Sequence, residues 1–217
     1  AAATAADGRS RVPRGAKPGP PMPSRPAGIA LPRAVGAGAP SQVVELFLDL
    51  CCPFSKKMFV TLMGGVMSKM PDADFIFMPV VQPWHPQSTL MHEAALAVRE
   101  VAGPQKFWEF CQALFAKQES FFDDALVDKT KGQIYAELQE IAASVGVPAA
   151  EVGALLALRG AGNAGNAVTQ EIKWATKFHR TRSVHVTPTV FLNGLEAGAI
   201  GSGWSAEEWI GYLTPES

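Results

Sequence analysis

The sequence predicts an α/β fold in which a β–α–β unit and a β–β–α unit are separated by an all-helical insertion. Three observations carry this. Two short, nearly unbroken apolar runs, Val43–Leu50 and Asp74–Val81, flank one helical segment. Helical periodicity then replaces strand signals over residues 87–182. Strand signals return at 184–200, ahead of a last helix that opens on a capping box.

Each element has a local cause. The run VVELFLDL is rich in strand formers and has no polar alternation, so it reads as a strand covered on both faces. Pro53 suits a first helical position, where its missing N–H has no intrahelical partner. The helix that follows is predicted over Lys56–Met70, weakened at Gly64-Gly65 and stopped before Pro71. DFIFMPVV is the second buried strand, and the crossover between the two is expected to be right-handed. The insertion reads as Gln87–Val101, Gln105–Lys117 after Pro104, Lys131–Val145 ending at Gly146, Pro148–Leu158, and Asn166–Arg180. Val184–Leu192 and Leu195–Ile200 are the returning strands, joined by Asn193-Gly194 as the turn. Ser205 and Glu208 form the capping box of the final helix.

Composition divides the chain. Of its 217 residues, the first forty hold eleven Ala, eight Pro and six Gly, with no Phe, Trp or Tyr. They carry six basic residues against Asp7, a net charge of +5, whereas residues 41–217 carry 13 basic and 19 acidic residues, a net of −6. An acidic body argues against nucleic-acid binding. No apolar run reaches the roughly 18 residues of a membrane span. Residues 1–41 are therefore expected to be an extended basic arm outside a domain of residues 42–217. The arm's expected role is to dock on a protein partner, and the acidic body of the same chain is the competing seat. An Ala-, Arg- and Pro-rich, acid-poor start that lacks Met is similar to the remnant of an organellar transit region, mitochondrial or plastid. Three cysteines require no disulfide framework, which fits a reducing compartment, the cytosol included.

Two motifs carry a family resemblance. Cys52-Pro53-Phe54-Ser55 resembles the Cys-Pro-x-Cys site of DsbA-like proteins, with Ser in place of the second Cys. Val186-Thr187-Pro188-Thr189 resembles the cis-proline loop of that family. Asp49-x-x-Cys52-Pro-Phe-Ser55 is also similar to the kappa-class glutathione transferases. The resemblance spans about residues 42–213 and implies a thioredoxin-like fold, with Pro188 cis and beside Cys52. It also implies Cys52 and Ser55 as catalytic residues. Pro53, Phe54, Thr187, Pro188 and His85 would bind substrate or glutathione.

The chemistry of the turn can be read directly. Cys52 stands where a helix begins, and unpaired N–H groups there favour an anion. The thiolate is the nucleophile in disulfide exchange. Ser55 cannot resolve a mixed disulfide, so an active site here is monothiol and relies on glutathione or another external thiol. Its hydroxyl is expected to bond the Cys52 sulfur instead. No tightly bound cofactor is expected, only glutathione as co-substrate. The Cys-Gly-Phe-Ser turn of monothiol glutaredoxins is a poorer match, since Pro replaces Gly and the insertion differs.

The remaining candidates are ambiguous from sequence. His85, in Trp84-His85-Pro86, is either a substrate or thiol-tuning residue or a packed rim residue. His92 has no supporting spacing, and His179 and His185 read as surface or satisfied histidines. Scattered Cys and His lack metal-ligand spacing, so no metal is expected. Cys51 reads as a small strand-end residue and Cys111 as core. Glu45 is nearest in kind to the carboxylate these families keep beneath the cysteine, though out of register by one. Trp108 is a candidate contact residue. Phe121-Phe122 are either a docking patch or folded back onto the helices. Two functions follow: a monothiol oxidoreductase or glutathione-linked protein using Cys52, or a catalytically degenerate thioredoxin-like subunit of a larger complex, anchored by the arm.

Overall fold

Alternate side chains of the strand Gln42–Leu48 enter two different cores. Val44, Leu46 and Leu48 join the larger, and Phe47 joins the smaller. Covering on both faces is why this stretch lacks polar alternation. The computed structural model describes residues 21–214. Its strands are β1 (Ile29–Ala30), β2 (Gln42–Leu48), β3 (Ala73–Pro79), β4 (Thr189–Leu192) and β5 (Leu195–Glu196). They form one sheet in the order β1-β3-β2-β4-β5. Only β2 and β3 run parallel; the other three pairings are antiparallel.

The crossover from β2 to β3 starts with α1 (Pro53–Thr61), which Pro53 opens. A wide helical turn at Leu62–Val66 holds the two glycines, and α2 (Met67–Lys69) completes it. The insertion comprises α3 (Ser88–Ala116), α4 (Asp123–Leu126), α5 (Lys131–Ser144), α6 (Ala149–Leu156) and α7 (Thr169–Thr181). The two helices expected at 87–101 and 105–117 are the two arms of α3, which meet at the non-helical backbone of Gly103 (φ 85°, ψ 177°). This positive φ, just before Pro104, bends α3 where proline's missing donor would weaken the ladder anyway. The last helix, α8 (Ala206–Leu213), has its reciprocal Ser205–Glu208 capping box. Strand β4 starts later than expected, at Thr189, and β5 stops at Glu196.

The larger core lies between the sheet and the helical insertion. Phe59, Phe77, Phe107, Trp108 and Phe115 form an aromatic set, with Phe59 and Trp108 stacked at 5.6 Å. Trp108 is thus fully buried rather than a surface contact residue, and its indole N–H donates to Ile29 O at 3.2 Å. Phe121 is buried and Phe122 packs on the same core, so this pair folds back. The smaller core, on the opposite face, is covered by α7 through Phe178.

The expected arm over 1–41 is corrected for residues 21–33. Ile29 and Ala30 pair with Phe77 and Ile76, and Leu31 N–H donates to Phe75 O at 2.8 Å. Arg25 bridges Glu100 and Glu171, Arg33 meets Asp74 at 2.6 Å, and the Trp174 indole N–H donates to Pro21 O. This segment is a strap over its own acidic body. It closes the β3 edge, and residues 1–20 of the expected arm lie outside the described residues. No described helix is long and apolar enough to cross a membrane.

Candidate functional site

Three loops meet at the carboxyl ends of β2 and β3. The first is the turn from β2 into α1. Cys52 is the N-cap of α1, 5% exposed, in extended backbone conformation (φ −78°, ψ 122°). Its N–H donates to Asp49 O at 3.0 Å, and its carbonyl accepts from Lys56 N–H and the Gln118 side chain. The second loop is 183–188, in which the Thr187–Pro188 peptide is cis. Its Thr187 carbonyl lies 3.4 Å from Cys52 Sγ, placed to accept the thiol hydrogen. The third is the turn after β3 that carries Gln82, Trp84 and His85. Gln82 Nε2 donates to His185 O at 3.3 Å, tying it to the second loop.

Asp49 joins the first loop to the third. Its side chain is fully buried, yet every acceptor position is filled. Oδ1 accepts from Cys51 N–H at 2.8 Å and from Ser88 Oγ at 2.6 Å. Oδ2 accepts from Gln82 N–H at 3.1 Å and lies 2.9 Å from His85 Nδ1. Four donors match the acceptor capacity of the carboxylate, so its burial leaves no oxygen unsatisfied. Sequence reasoning quoted Asp49 only as part of a motif and looked instead to Glu45. The structure corrects that assignment. Glu45 shares the strand face of Phe47 and is held by the Arg182 fork at 3.1 and 2.9 Å. The clue was available: a residue just past a strand end is free to turn under the next loop, whereas strand parity fixes Glu45.

Other candidates also change place. Ser55 is fully buried, and its hydroxyl accepts from Asp49 N–H at 3.2 Å. The expected bond to the Cys52 sulfur does not occur among the described residues. His92, which no spacing singled out, lies beneath the turn, where Nε2 accepts from Leu50 N–H at 3.3 Å and is 3.9 Å from Asp49 Oδ1. Burial pulls its pKa down to about 4, so the ring is neutral. His179 is buried, and among the described residues neither of its ring nitrogens has a partner, against its reading as surface or satisfied; His185 is exposed.

The three cysteines are free and differ in setting. Burial and the Asp49 charge push the Cys51 thiol up to about 12. Gln87 Nε2 caps its sulfur at 3.1 Å. Cys111 sits deep in the core and burial pushes its thiol well up. Around Cys52 the rim is apolar: Phe54, Trp84 and Val186, one from each loop, are more than half exposed. Among the described residues no group of three His, Cys, Asp or Glu is placed to hold a metal ion.

No family model and no curated sequence matches this chain. Solved structures do. A Pseudomonas syringae protein described as a candidate protein-disulfide isomerase is 25% identical, with a TM-score of 0.68 over 82% of this chain and 96% of its own. The fold is DsbA-like. MdbA, a thiol-disulfide oxidoreductase from Corynebacterium diphtheriae, superposes with a TM-score of 0.62 at 18% identity, over 86% of this chain and 89% of its own. The thiol-disulfide exchange protein alpha-DsbA2 from Wolbachia pipientis gives 0.58 at 14%, over 86% and 87%. At those identities the likeness is one of fold. This DsbA-like fold is a thioredoxin-like sheet with a helical insertion, here between β3 and β4.

Proposed function

We propose that this DsbA-like protein is a monothiol disulfide oxidoreductase in which Cys52 attacks a substrate disulfide and an external thiol, glutathione, releases it. The observation that carries the reading is the placement of Cys52. It is the one cysteine at a helix N-terminus, with its sulfur against the carbonyl that precedes the cis-proline. The Cys52 thiolate forms a bond to one sulfur of R–S–S–R′ and expels the other as a thiolate. Glutathione then attacks the mixed disulfide and regenerates Cys52. A second glutathione completes the balance, so two thiols are oxidised to one disulfide for each substrate disulfide reduced. Ser55 cannot take the resolving role. Cys51 is disfavoured for it because its thiol stays protonated at neutral pH.

A shape-only role as a degenerate subunit is the second reading, favoured by the missing second thiol. The strap weakens it, because residues 21–33 are spent on their own domain rather than on a partner. Alkylation of the folded protein at limiting reagent separates the two readings. The oxidoreductase reading expects Cys52 to be labelled at least about tenfold faster than Cys51 or Cys111. It also expects a glutathionylated peptide to be reduced by the native protein and not by Cys52→Ser. Equal labelling, or turnover that survives Cys52→Ser, would sink it.

A further inference from the structure

The Asp49–His85 pair takes no part in the two exchange steps proposed for Cys52. Its geometry is specific. Asp49 Oδ2 lies 2.9 Å from His85 Nδ1, and the anion fixes that nitrogen as the protonated one. Nε2 is then the basic nitrogen of the ring. It has no hydrogen-bond partner among the described residues, and the side chain keeps 20% of its surface exposed. The other three donors to Asp49 hold the carboxylate in place, so the imidazole is oriented from beneath, with its ring centroid 6.2 Å from that of the rim residue Trp84. The same turn is tied to the loop whose Thr187 carbonyl meets Cys52 Sγ.

A resolving cysteine inside a protein can be supplied as a thiolate by its surroundings. A thiol arriving from solution brings no such surroundings and has to be deprotonated where it attacks. Glutathione is mostly protonated near neutral pH, and the thiol form is a poor nucleophile. The missing component of this site is therefore a base for the incoming thiol. We infer that His85, held by Asp49, is that base and acts as the catalytic residue of the release step.

The step balances as follows. His85 Nε2 takes the proton of the external thiol. The resulting thiolate attacks the substrate-side sulfur of the Cys52 mixed disulfide. The new S–S bond joins external thiol and substrate, and the old S–S bond breaks with its electron pair on Cys52 Sγ. A protonated imidazole beside Asp49 and a Cys52 thiolate remain. The logic is that of a carboxylate orienting a histidine toward a nucleophile, with the nucleophile brought by the co-substrate.

This inference rests on the oxidoreductase reading but is tested apart from it. Cys52 of the full chain is first converted chemically to its mixed disulfide with glutathione. Acid quenching and intact-mass analysis then follow the return of the free Cys52 thiol, which reports the release step alone, whether or not a protein substrate is turned over. Two attacking thiols are compared in native protein and in His85→Gln: glutathione, and trifluoroethanethiol, which is acidic enough to be extensively ionised at the assay pH. The expected result is a release rate about 100-fold lower in H85Q with glutathione and nearly unchanged with the acidic thiol. Equal rates with glutathione in both proteins would overturn the inference. So would an equal loss with both thiols, which would make His85 a strut of the loop rather than a base.

Discussion

Asp49 shows how much one side chain can organise. Its carboxylate carries no exposed surface and satisfies two backbone N–H groups, one hydroxyl and one imidazole from three stretches of chain. Asp49→Ala would leave the Cys51 and Gln82 amides and the Ser88 hydroxyl buried without acceptors. The expected loss is about 3 kcal/mol or more, read as a lower urea midpoint. Asp49→Asn should lose less, since it keeps an acceptor oxygen. An unchanged midpoint in both variants would mean that water replaces the carboxylate. At this scale the sequence was legible where chemistry is local. Cys52, Pro53, Thr187 and Pro188 lie in contiguous motifs that announce a helix start and a loop. The carboxylate was less legible because strand parity and the path after Leu48 decide it. Ser55 was misread for a similar reason: its oxygen lies under the strand end, where it accepts from Asp49 N–H, and nothing in the motif reveals that.

Among the elements, the helices were legible because their stop and start signals are short-range. Thr130 with Gln133 and Ser205 with Glu208 close reciprocal capping boxes, and Gly146 takes a positive φ after α5. The strap was not legible. A segment with many prolines and no aromatic residue reads as free chain, and its ties are non-local and aperiodic. Their relative weight can be argued. Arg25 is about half exposed, and its ion pairs should contribute about 0–1 kcal/mol. Burial of Ile29, its ladder with β3 and the Trp108 N–H bond should contribute roughly 3 kcal/mol together. Removing residues 1–33 should therefore lower the unfolding midpoint clearly, whereas Arg25→Ala should barely move it. The reverse order would show that charge, not the sheet edge, seats the strap. Gly28 adds a steric check. Its φ is +82°, and an added Cβ would stand 2.5 Å from Met78 Sδ, so Gly28→Ala should imitate part of the truncation.

For the whole molecule, acid sensitivity follows from its buried histidines. The His92 pKa is lowered from its ordinary 6.5 to about 4, and burial also lowers that of His179. Between those pH values the unfolded chain binds a proton that the folded chain refuses. Stability therefore falls as pH drops from 6.5 to 4, by about 3 kcal/mol for His92 alone, and His92 adds no further loss below that. Thermal unfolding followed across this window should show the decline, and His92→Gln should flatten it. A variant as acid-sensitive as the native chain would assign the loss to other groups. The fold as a whole was legible because element order is itself informative: β–α–β, a helical block, then β–β–α leaves few topologies. Which face α7 would cover, and that the first described strand would come from before residue 42, depended on contacts between residues distant in sequence.

The strap has a consequence for the order in which this chain is made. Pro21 and Arg25 find their partners at Trp174 and Glu171, about 150 residues later. A segment made before the body it straps can form its ladder with β3 early but completes its seat only after α7 has followed it. Whenever the strap is out of place the outer edge of β3 stands unpaired, and an open strand edge is a template for joining another chain. Synthesis is expected to pass through an interval of vulnerability that closes only when residues 21–33 are folded back over the edge of β3 and onto α7.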